Sequence, residues 1–260
     1  MLTYPTIDPV MIQLGPIAIR WYGMAYLAGF VGGYLLLHKQ RKDGLLKMTE
    51  DQLGGLATAM ILGVILGGRI GYTLFYDPVY YLTHPLQMIA IWKGGMSFHG
   101  GFLGTLIAGA IYCRTEKLPY LTTADRVCVV VPVGLFFGRL ANFINAELWG
   151  RPTDVPWGMI FPGGGPVPRH PSQLYEALLE GVVLFVIMWS LRRKLVRPGA
   201  LLGVFMVSYS LFRMAMEQFR QPDAHIGFLF ASVTMGQLLS SVMLVLGGWL
   251  VYSARRRNTA

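Results

Sequence analysis

The sequence predicts an all-α integral membrane protein with about seven transmembrane helices, organised as one polytopic membrane domain over residues 1–260. Of the 260 residues, 54% are hydrophobic and only 13% are charged, and the mean hydropathy is +0.49. Soluble domains carry about 25% charged residues. Apolar runs of about 20 residues, the length that crosses the hydrocarbon core of a bilayer, also recur along the chain. These observations together exclude an ordinary soluble domain.

Seven apolar runs account for the expected helices. They cover residues 19–37, 53–76, 96–113, 127–145, 174–191, 199–219 and 229–253. Glycines are dense in the second and third runs, so we expect these two helices to approach each other closely. The pair Gly63 and Gly67 has the spacing of a helix-packing motif, and in a chain with several spans packing is favoured over dimerisation.

The basic residues predict the orientation. Fourteen of the 22 lysines and arginines lie in loops 38–52, 114–126 and 192–198 and in the C-terminal tail, and five lie on the opposite side. Because basic loops stay in the cytoplasm, the N-terminus is expected outside and the C-terminus in the cytoplasm. The net charge of +9 then marks cytoplasmic loops and contact with anionic membrane lipids, and no nucleic-acid partner is expected.

Between the fourth and fifth runs, residues 146–173 form the longest external connection. It is rich in glycine and proline and contains Trp149 and Trp157. Interfacial tryptophans favour a small structured cap on the periplasmic side over a disordered linker.

The strongest candidate site lies at the end of the fourth run, in residues 138–150. Arg139, Asn142 and Glu147 stand there at the end of an apolar stretch. Ionisable side chains in hydrocarbon are costly and usually functional. Arg139 and Asn142 are three residues apart and share a helix face. A guanidinium flanked by carboxamides suits an anionic lipid head group.

A second polar stripe lies in the sixth run. Tyr209, Arg213, Glu217 and Arg220 follow at spacings of four, four and three residues, which places them on one side of a helix. Glu217 can neutralise one arginine, so two arginines against one carboxylate predict a surplus positive charge. The alternative interpretation is an ion-paired packing stripe.

His99 opens the third run, just before Gly100 and Gly101. It is either a hydrogen-bonded structural histidine or a side chain that exchanges a proton near neutral pH, and its position does not decide between them. Tyr26 is either an interfacial aromatic residue or part of a site. Arg69 is likewise either structural or part of a lipid site.

The segment from Arg169 to Glu176 opens the fifth run. Pro171 suits a first helical turn, and Ser172, Tyr175 and Glu176 share a face. Helix capping explains much of this pattern, and a direct role stays open.

Cys113 and Cys128 are expected to be apolar packing residues. With no nucleophile at the outer site, an enzyme of this design requires its substrate to supply one.

Residues 138–150 resemble the signature G-R-x-x-N-F-x-N-x-E-x-x-G of bacterial prolipoprotein diacylglyceryl transferases. Further matches extend the resemblance over nearly the whole chain: Arg20–Gly23, His99–Gly101, His170–Glu176, and Phe212 and Arg213 through Glu217, Arg220, Pro222 and Asp223. The resemblance implies a multi-pass protein of the bacterial inner membrane whose site opens to the periplasmic leaflet.

It also implies the reaction: the diacylglyceryl group of phosphatidylglycerol passes to the lipobox cysteine of a prolipoprotein signal peptide, and glycerol phosphate leaves. Arg139, Arg213 and His99 would be catalytic, with His99 assisting deprotonation of the thiol. Candidate substrate-binding residues, besides Arg139, are Tyr26, Asn142, Glu147, Gly150, Tyr209, Glu217 and Arg220. No cofactor and no metal are required.

Two other functions are compatible with the sequence. An anion or lipid transporter could use the same arginines, although the sequence shows no half-repeat symmetry. A structural membrane scaffold would tolerate polar substitutions at Arg139.

Overall fold

The computed structural model describes residues 2–15, 17–75, 78–90, 94–221, 228–230 and 233–256. Helices dominate this part of the chain. They are α1 (Trp21–Lys42), α2 (Glu50–Phe75), α3 (Pro78–Thr83), α4 (Phe98–Thr115), α5 (Tyr120–Cys128), α6 (Val131–Ile144), α7 (Ser172–Glu176), α8 (Leu184–Leu191), α9 (Ala200–Met216) and α10 (Met235–Arg256). A short 3₁₀ helix, Pro85–Ile89, follows α3, and a π-helical segment, Ala177–Val183, joins α7 to α8.

Each of the seven apolar runs overlaps one of the longer helical stretches. The seventh helix begins only at Met235, because the described residues at the start of that run form short strands; residues 231–232 lie outside the described part of the chain. Within the described part of the chain, three continuous helices are long and apolar enough to cross a membrane: Glu50–Phe75, Ser172–Leu191 and Met235–Arg256. α5 and α6 bend by 43° relative to each other and count as a fourth if they form one span. The chain is therefore mostly helical, with membrane-capable helices.

Three short strand pairs add β-structure that the sequence analysis did not predict. β1 (Leu2–Thr3) pairs in parallel with β4 (Met159–Ile160). β2 (Val10–Leu14) and β3 (Ile17–Arg20) form an antiparallel hairpin before α1, and β5 (Phe228–Phe230) pairs with β6 (Val233–Thr234) before α10. Strands this short produce no hydropathy pattern that a search for apolar runs of about 20 residues can detect.

The chain divides into two compact units, residues 1–39 with 124–260, and residues 40–123. In the first unit, the core is built from Cys128, Val129, Leu184, Met188 and Leu201. Asp125 fixes the start of α9, because its carboxylate accepts hydrogen bonds from the backbone N–H groups of Gly199 and Leu202, both at 2.7 Å.

In the second unit, α2 and α4 cross at their glycines. A Cβ atom on Gly63 would lie 2.6 Å from the carbonyl oxygen of Gly104, and one on Gly67 would lie 2.7 Å from Gly104 Cα. Only glycine permits backbones to come this close. The predicted close approach of these helices is confirmed, and the Gly63–Gly67 pair serves packing within the chain.

The π-helical segment shapes the fifth run. It begins directly after Glu176 and includes Glu180 and Gly181. A Cβ atom on Gly181 would lie 2.7 Å from Phe136 Cβ, so this segment packs tightly against α6. π-helical turns are rare and often occur at functional sites. Here the tight packing brings two buried carboxylates to the face of α6 that carries Arg139.

Candidate functional site

The centre of the site is a buried cluster of arginines and glutamates in the first unit. Arg139 Nε lies 2.7 Å from Glu176 Oε2, and Arg139 Nη2 donates a hydrogen bond to Glu180 Oε2 at 3.1 Å. The two glutamate side chains are 1% and 0% exposed. Buried carboxylates persist only when they are paired, so α6 and the α7–π segment are held together here by charge.

Two further arginines join the same carboxylates. Arg213 Nη2 lies 3.0 Å from Glu217 Oε2, one helical turn away, and its Nη1 lies 3.6 Å from Glu176 Oε2 and 3.9 Å from Glu180 Oε1. Arg220 Nη1 lies 3.7 Å from Glu176 Oε1. The six residues of this guanidinium–carboxylate cluster are Arg139, Glu176, Glu180, Arg213, Glu217 and Arg220.

The expected surplus of positive charge is wrong for this cluster. Three guanidinium groups face three carboxylates, because Glu176 and Glu180 enter from the fifth run. The stripe at α9 supplies only one of the three carboxylates, Glu217, and Glu180 was not among the residues predicted for the site. The signal was available: Glu176 and Glu180 stand four residues apart inside an apolar run, where paired carboxylates are rare.

Tyr209 lies on the same side of α9 as Arg213. Its ring stacks on Phe205 with 5.9 Å between the ring centroids, and its hydroxyl lies near enough to Arg139, Arg213 and Glu180 to interact with their charges. Tyr209 and Arg213 therefore lie on one face of α9, with Glu217 just past its end, and α9 packs against α7 and the π-helical segment.

A second group of polar side chains begins one turn beyond Arg139. Asn142 Nδ2 donates a hydrogen bond to Glu147 Oε1 at 2.7 Å. The Tyr22 hydroxyl lies within hydrogen-bonding reach of Asn142 and of Tyr26, and the two tyrosine rings are 5.2 Å apart. Tyr26 is 49% exposed. Tyr22 thus connects Tyr26 with Asn142 of the signature. Tyr22 is a further site candidate that was not predicted from the sequence.

The backbone around Glu147 is strained. Ala146 and Leu148 have φ angles of 51° and 58°, in the left-handed region that side chains other than glycine avoid. Such strain costs about 1–3 kcal/mol for each residue and collects at functional sites. Gln173 Nε2 donates a hydrogen bond to the Glu147 carbonyl oxygen at 2.7 Å, which helps to hold this conformation.

Gly150 is placed by close packing. Its N–H donates to the His170 carbonyl oxygen at 2.9 Å, and it forms an antiparallel bridge with Arg220. A Cβ atom there would lie 2.5 Å from the Phe219 carbonyl oxygen and 2.7 Å from His170 Cβ. Gly150 therefore lets the cap segment reach the end of α9, where Arg151 Nε donates to the Arg220 carbonyl oxygen at 3.0 Å.

The capping interpretation of the fifth run is wrong for Ser172. Its hydroxyl donates to the Leu148 carbonyl oxygen at 3.2 Å instead of capping α7. His170 Nδ1 lies 3.3 Å from the Tyr175 hydroxyl, and burial lowers the pKa of His170 below its ordinary value. Burial therefore favours the neutral imidazole of His170 over its charged form.

His99 and Arg69 belong to the second unit. His99 lies exposed in the first turn of α4, whose N-terminus is capped by the Ser97 hydroxyl. Arg69 is 5% exposed and donates to backbone carbonyl oxygens of Gln87, Met88, Gly94 and Gly95 at 2.5–3.0 Å. These contacts support the structural interpretation of Arg69, which binds the backbone of residues 87–88 and 94–95.

Chemically, the guanidinium groups of the first-unit cluster match an oxyanion, and in this structure the three carboxylates occupy them. The arginines Arg139 and Arg213 share two carboxylates, so their guanidinium groups are close together and already oriented. A guanidinium fork binds phosphate or carboxylate oxygens with two parallel N–H donors. Burial strengthens such contacts, because the local dielectric constant is low.

Comparison with known proteins gives the family of this site. The family model described as prolipoprotein diacylglyceryl transferase matches residues 9–253. Among curated relatives, phosphatidylglycerol--prolipoprotein diacylglyceryl transferases from Desulfotalea psychrophila, Legionella pneumophila and Geobacter sulfurreducens are similar to this chain. Their identities are 48%, 50% and 49%, over 98%, 98% and 99% of the chain and 97%, 100% and 99% of the relatives.

Proposed function

The chain belongs to the prolipoprotein diacylglyceryl transferase family, and from this membership we propose that it transfers the diacylglyceryl group of phosphatidylglycerol to a prolipoprotein. The acceptor is the thiol of the lipobox cysteine. Its sulfur forms a bond to the terminal glyceryl carbon, and the bond from that carbon to the phosphate oxygen breaks. The products are a thioether-linked lipid and glycerol phosphate.

One observation carries the assignment of the site: Arg139 and Arg213 lie side by side on shared carboxylates in a buried cluster. As the carbon–oxygen bond breaks, the phosphodiester monoanion becomes a phosphomonoester with an additional negative charge. Oriented guanidinium groups that face this charge stabilise the transition state more than the ground state. Arg139 and Arg213 are therefore assigned to the phosphate.

Asn142, Glu147 and Tyr26 are assigned to the glycerol head group. Asn142 and Glu147 offer an amide and a carboxylate beside Arg139, and both can bond to hydroxyl groups. Gly150 leaves the space that the cap backbone needs at this end of the site. Tyr209, Glu217 and Arg220 complete the wall formed by α9 and the residues that follow it, and the ion pair with Glu217 keeps Arg213 oriented.

The thiol must lose its proton before it attacks, since the thiolate is the nucleophile. His99 is assigned as the residue that assists this step. The assignment rests on its residue type, its exposure in the first turn of α4 and the family resemblance. The proton leaves the thiol for the imidazole, and solvent or the phosphate product then accepts it.

The proposed setting is the bacterial inner membrane. Seven helices cross it, the N-terminus and cap 146–173 lie on the periplasmic side, and the C-terminus is cytoplasmic. The distribution of lysine and arginine supports this orientation. It places the Arg139 end of α6 toward the periplasm, where a prolipoprotein presents its lipobox.

Product formation tests the proposal. Purified protein would receive phosphatidylglycerol and a lipobox peptide, and mass spectrometry would follow the peptide. We expect the peptide to gain one diacylglyceryl group, and a matched peptide with serine at the lipobox cysteine to gain nothing. A protein that moves the lipid across vesicles but leaves the peptide mass unchanged would be a transporter.

A further inference from the structure

Glu176 touches all three guanidinium groups of the cluster. Its Oε2 lies 2.7 Å from Arg139 Nε and 3.6 Å from Arg213 Nη1, and its Oε1 lies 3.7 Å from Arg220 Nη1. Glu180 and Glu217 contact fewer of these arginines in the described residues. Glu176 therefore occupies the position from which a single anion reaches Arg139, Arg213 and Arg220 together.

The hydrogen bonding of Glu176 differs from that of Glu180. Among the described residues, neither oxygen of Glu176 accepts a hydrogen bond of good geometry, although both are buried. Glu180 Oε2, in contrast, accepts one from Arg139 Nη2. A buried carboxylate that relies on charge without aligned donors is held less firmly than one that is hydrogen-bonded. Displacing Glu176 therefore breaks ion pairs only, whereas displacing Glu180 also breaks an aligned hydrogen bond at Oε2, although Glu180 Oε1 accepts none from the described residues.

A carboxylate and the phosphate of a lipid present the same chemistry to arginine. Each offers two oxygens that share a negative charge and match the guanidinium fork. Because the cluster already balances three arginines with three carboxylates, an incoming phosphate finds no uncompensated charge. The phosphate can contact all three guanidinium groups only if a carboxylate gives up its contacts with them.

We propose that Glu176 is an internal competitor for the lipid phosphate. In the lipid-free protein it holds the three guanidinium groups together, and it gives up these contacts when the phosphate binds. The inference rests on the proposed function, because it takes the phosphate of phosphatidylglycerol as the anion. Glu180 stays on Arg139 throughout and keeps that side chain oriented.

The affinity for phosphatidylglycerol in detergent micelles, measured without peptide, tests this directly. Glu176→Gln keeps the size of the side chain but removes the competing charge, so the lipid should bind about tenfold more tightly, the difference between a charge-assisted and a neutral contact. Glu180→Gln is the matched control with the same change in net charge, and it should tighten binding by less than about threefold.

Two results would overturn the inference. The first is a Glu176→Gln protein that binds the lipid no more tightly than the wild type. The second is equal tightening by both variants, because net charge alone would then explain the effect. If Glu176→Gln fails to fold, Glu176→Asp takes its place. Because the aspartate side chain is shorter, the Glu176→Asp protein should bind the lipid more tightly than the wild type does. Equal affinity of the two proteins would refute the proposal.

The design separates this inference from the proposed function, because lipid affinity is measured without transfer. If Glu176→Gln binds the lipid more tightly than Glu180→Gln and the wild type do, but the peptide mass stays unchanged, diacylglyceryl transfer is refuted and the competitor role of Glu176 is not. Normal transfer together with the wrong order of affinities would refute the competitor role alone.

Discussion

Asn142 and Glu147 hold each other in place at the end of α6, where the Asn142 amide donates to Glu147 Oε1 across 2.7 Å. The residues between them leave the helix, and Ala146 takes up a left-handed conformation. An amide and a carboxylate are thereby fixed one turn from Arg139, at the end of the span where a lipid head group would arrive.

The first prediction concerns this pair. Asn142→Asp places two carboxylates opposite each other and should lower the rate of transfer by about 10²-fold or more, because both the donor and the shape of the pocket are lost. The peptide-mass assay measures the rate. The double variant Asn142→Asp with Glu147→Gln restores an amide–carboxylate pair in the reverse direction and should recover part of the activity. Full activity of Asn142→Asp alone would remove the pair from the site.

The second prediction concerns Arg139. Arg139→Lys keeps the charge but loses the planar fork that reaches Glu176 and Glu180 together. Transfer should fall by about 10²–10³-fold, the usual effect of removing an oriented donor from a transition state. Arg114→Lys, at the exposed end of α4, is the matched control and should be fully active. Near-normal transfer by Arg139→Lys would show that the arginine acts only as a point charge.

The third prediction concerns Arg69 as a structural residue. Its guanidinium donates to four backbone carbonyl oxygens, which the three donors of an ammonium group cannot all reach. Arg69→Lys should lower the free energy of unfolding by about 2 kcal/mol or more, since hydrogen bonds to charged groups contribute about 1.5–3 kcal/mol each. Thermal denaturation in detergent measures this. Unchanged stability would contradict the structural role.

The fourth prediction concerns orientation. Val167 is 42% exposed in the cap and Val196 is 61% exposed in the basic loop after α8, whereas the natural Cys113 and Cys128 are buried. In a background without the natural cysteines, Val167→Cys should react with an impermeant maleimide in intact spheroplasts. Val196→Cys should react only after lysis. The reverse pattern would invert the topology and move the site to the cytoplasmic side.

The fifth prediction concerns the base. If His99 takes the thiol proton, His99→Gln should slow transfer by about 10²–10⁴-fold, the usual contribution of a general base. Raising the pH toward 9 should restore part of the rate, because a cysteine thiol with a pKa of about 8.5 then ionises by itself. Lipid affinity should be unchanged. A normal rate at pH 7 would exclude His99 from the mechanism.

The sequence predicted the helices well, because each depends on a local run of apolar residues that its own hydropathy reveals. It also predicted that α2 and α4 pack closely, since glycines such as Gly63 mark that contact directly. It did not predict the short strand pair of Leu2–Thr3 with Met159–Ile160. That pairing joins residues more than 150 positions apart, which no local pattern encodes.

In the site, too, features that depend on local spacing were predicted, and features that depend on distant residues were not. The stripe of Tyr209, Arg213 and Glu217 followed from helical spacing, and the Arg213–Glu217 pair at 3.0 Å agrees with it. The charge balance of the cluster did not follow, because Glu180 comes from another span. Its approach to Arg139 depends on the π-helical segment, which the hydropathy pattern does not reveal, and on the packing of Gly181 against Phe136, which is a tertiary contact.

In the proposed reaction, the arginine cluster holds the phosphate of the lipid that is transferred. The most direct measurement follows both products of one reaction with phosphatidylglycerol labelled in its glycerol phosphate, using the wild type and Arg139→Lys. The wild type should release one glycerol phosphate for each thioether that it forms, and Arg139→Lys should lose both products in parallel. Thioether formation at the wild-type rate by Arg139→Lys, or lipid consumption without either product, would show that the cluster does not hold the phosphate.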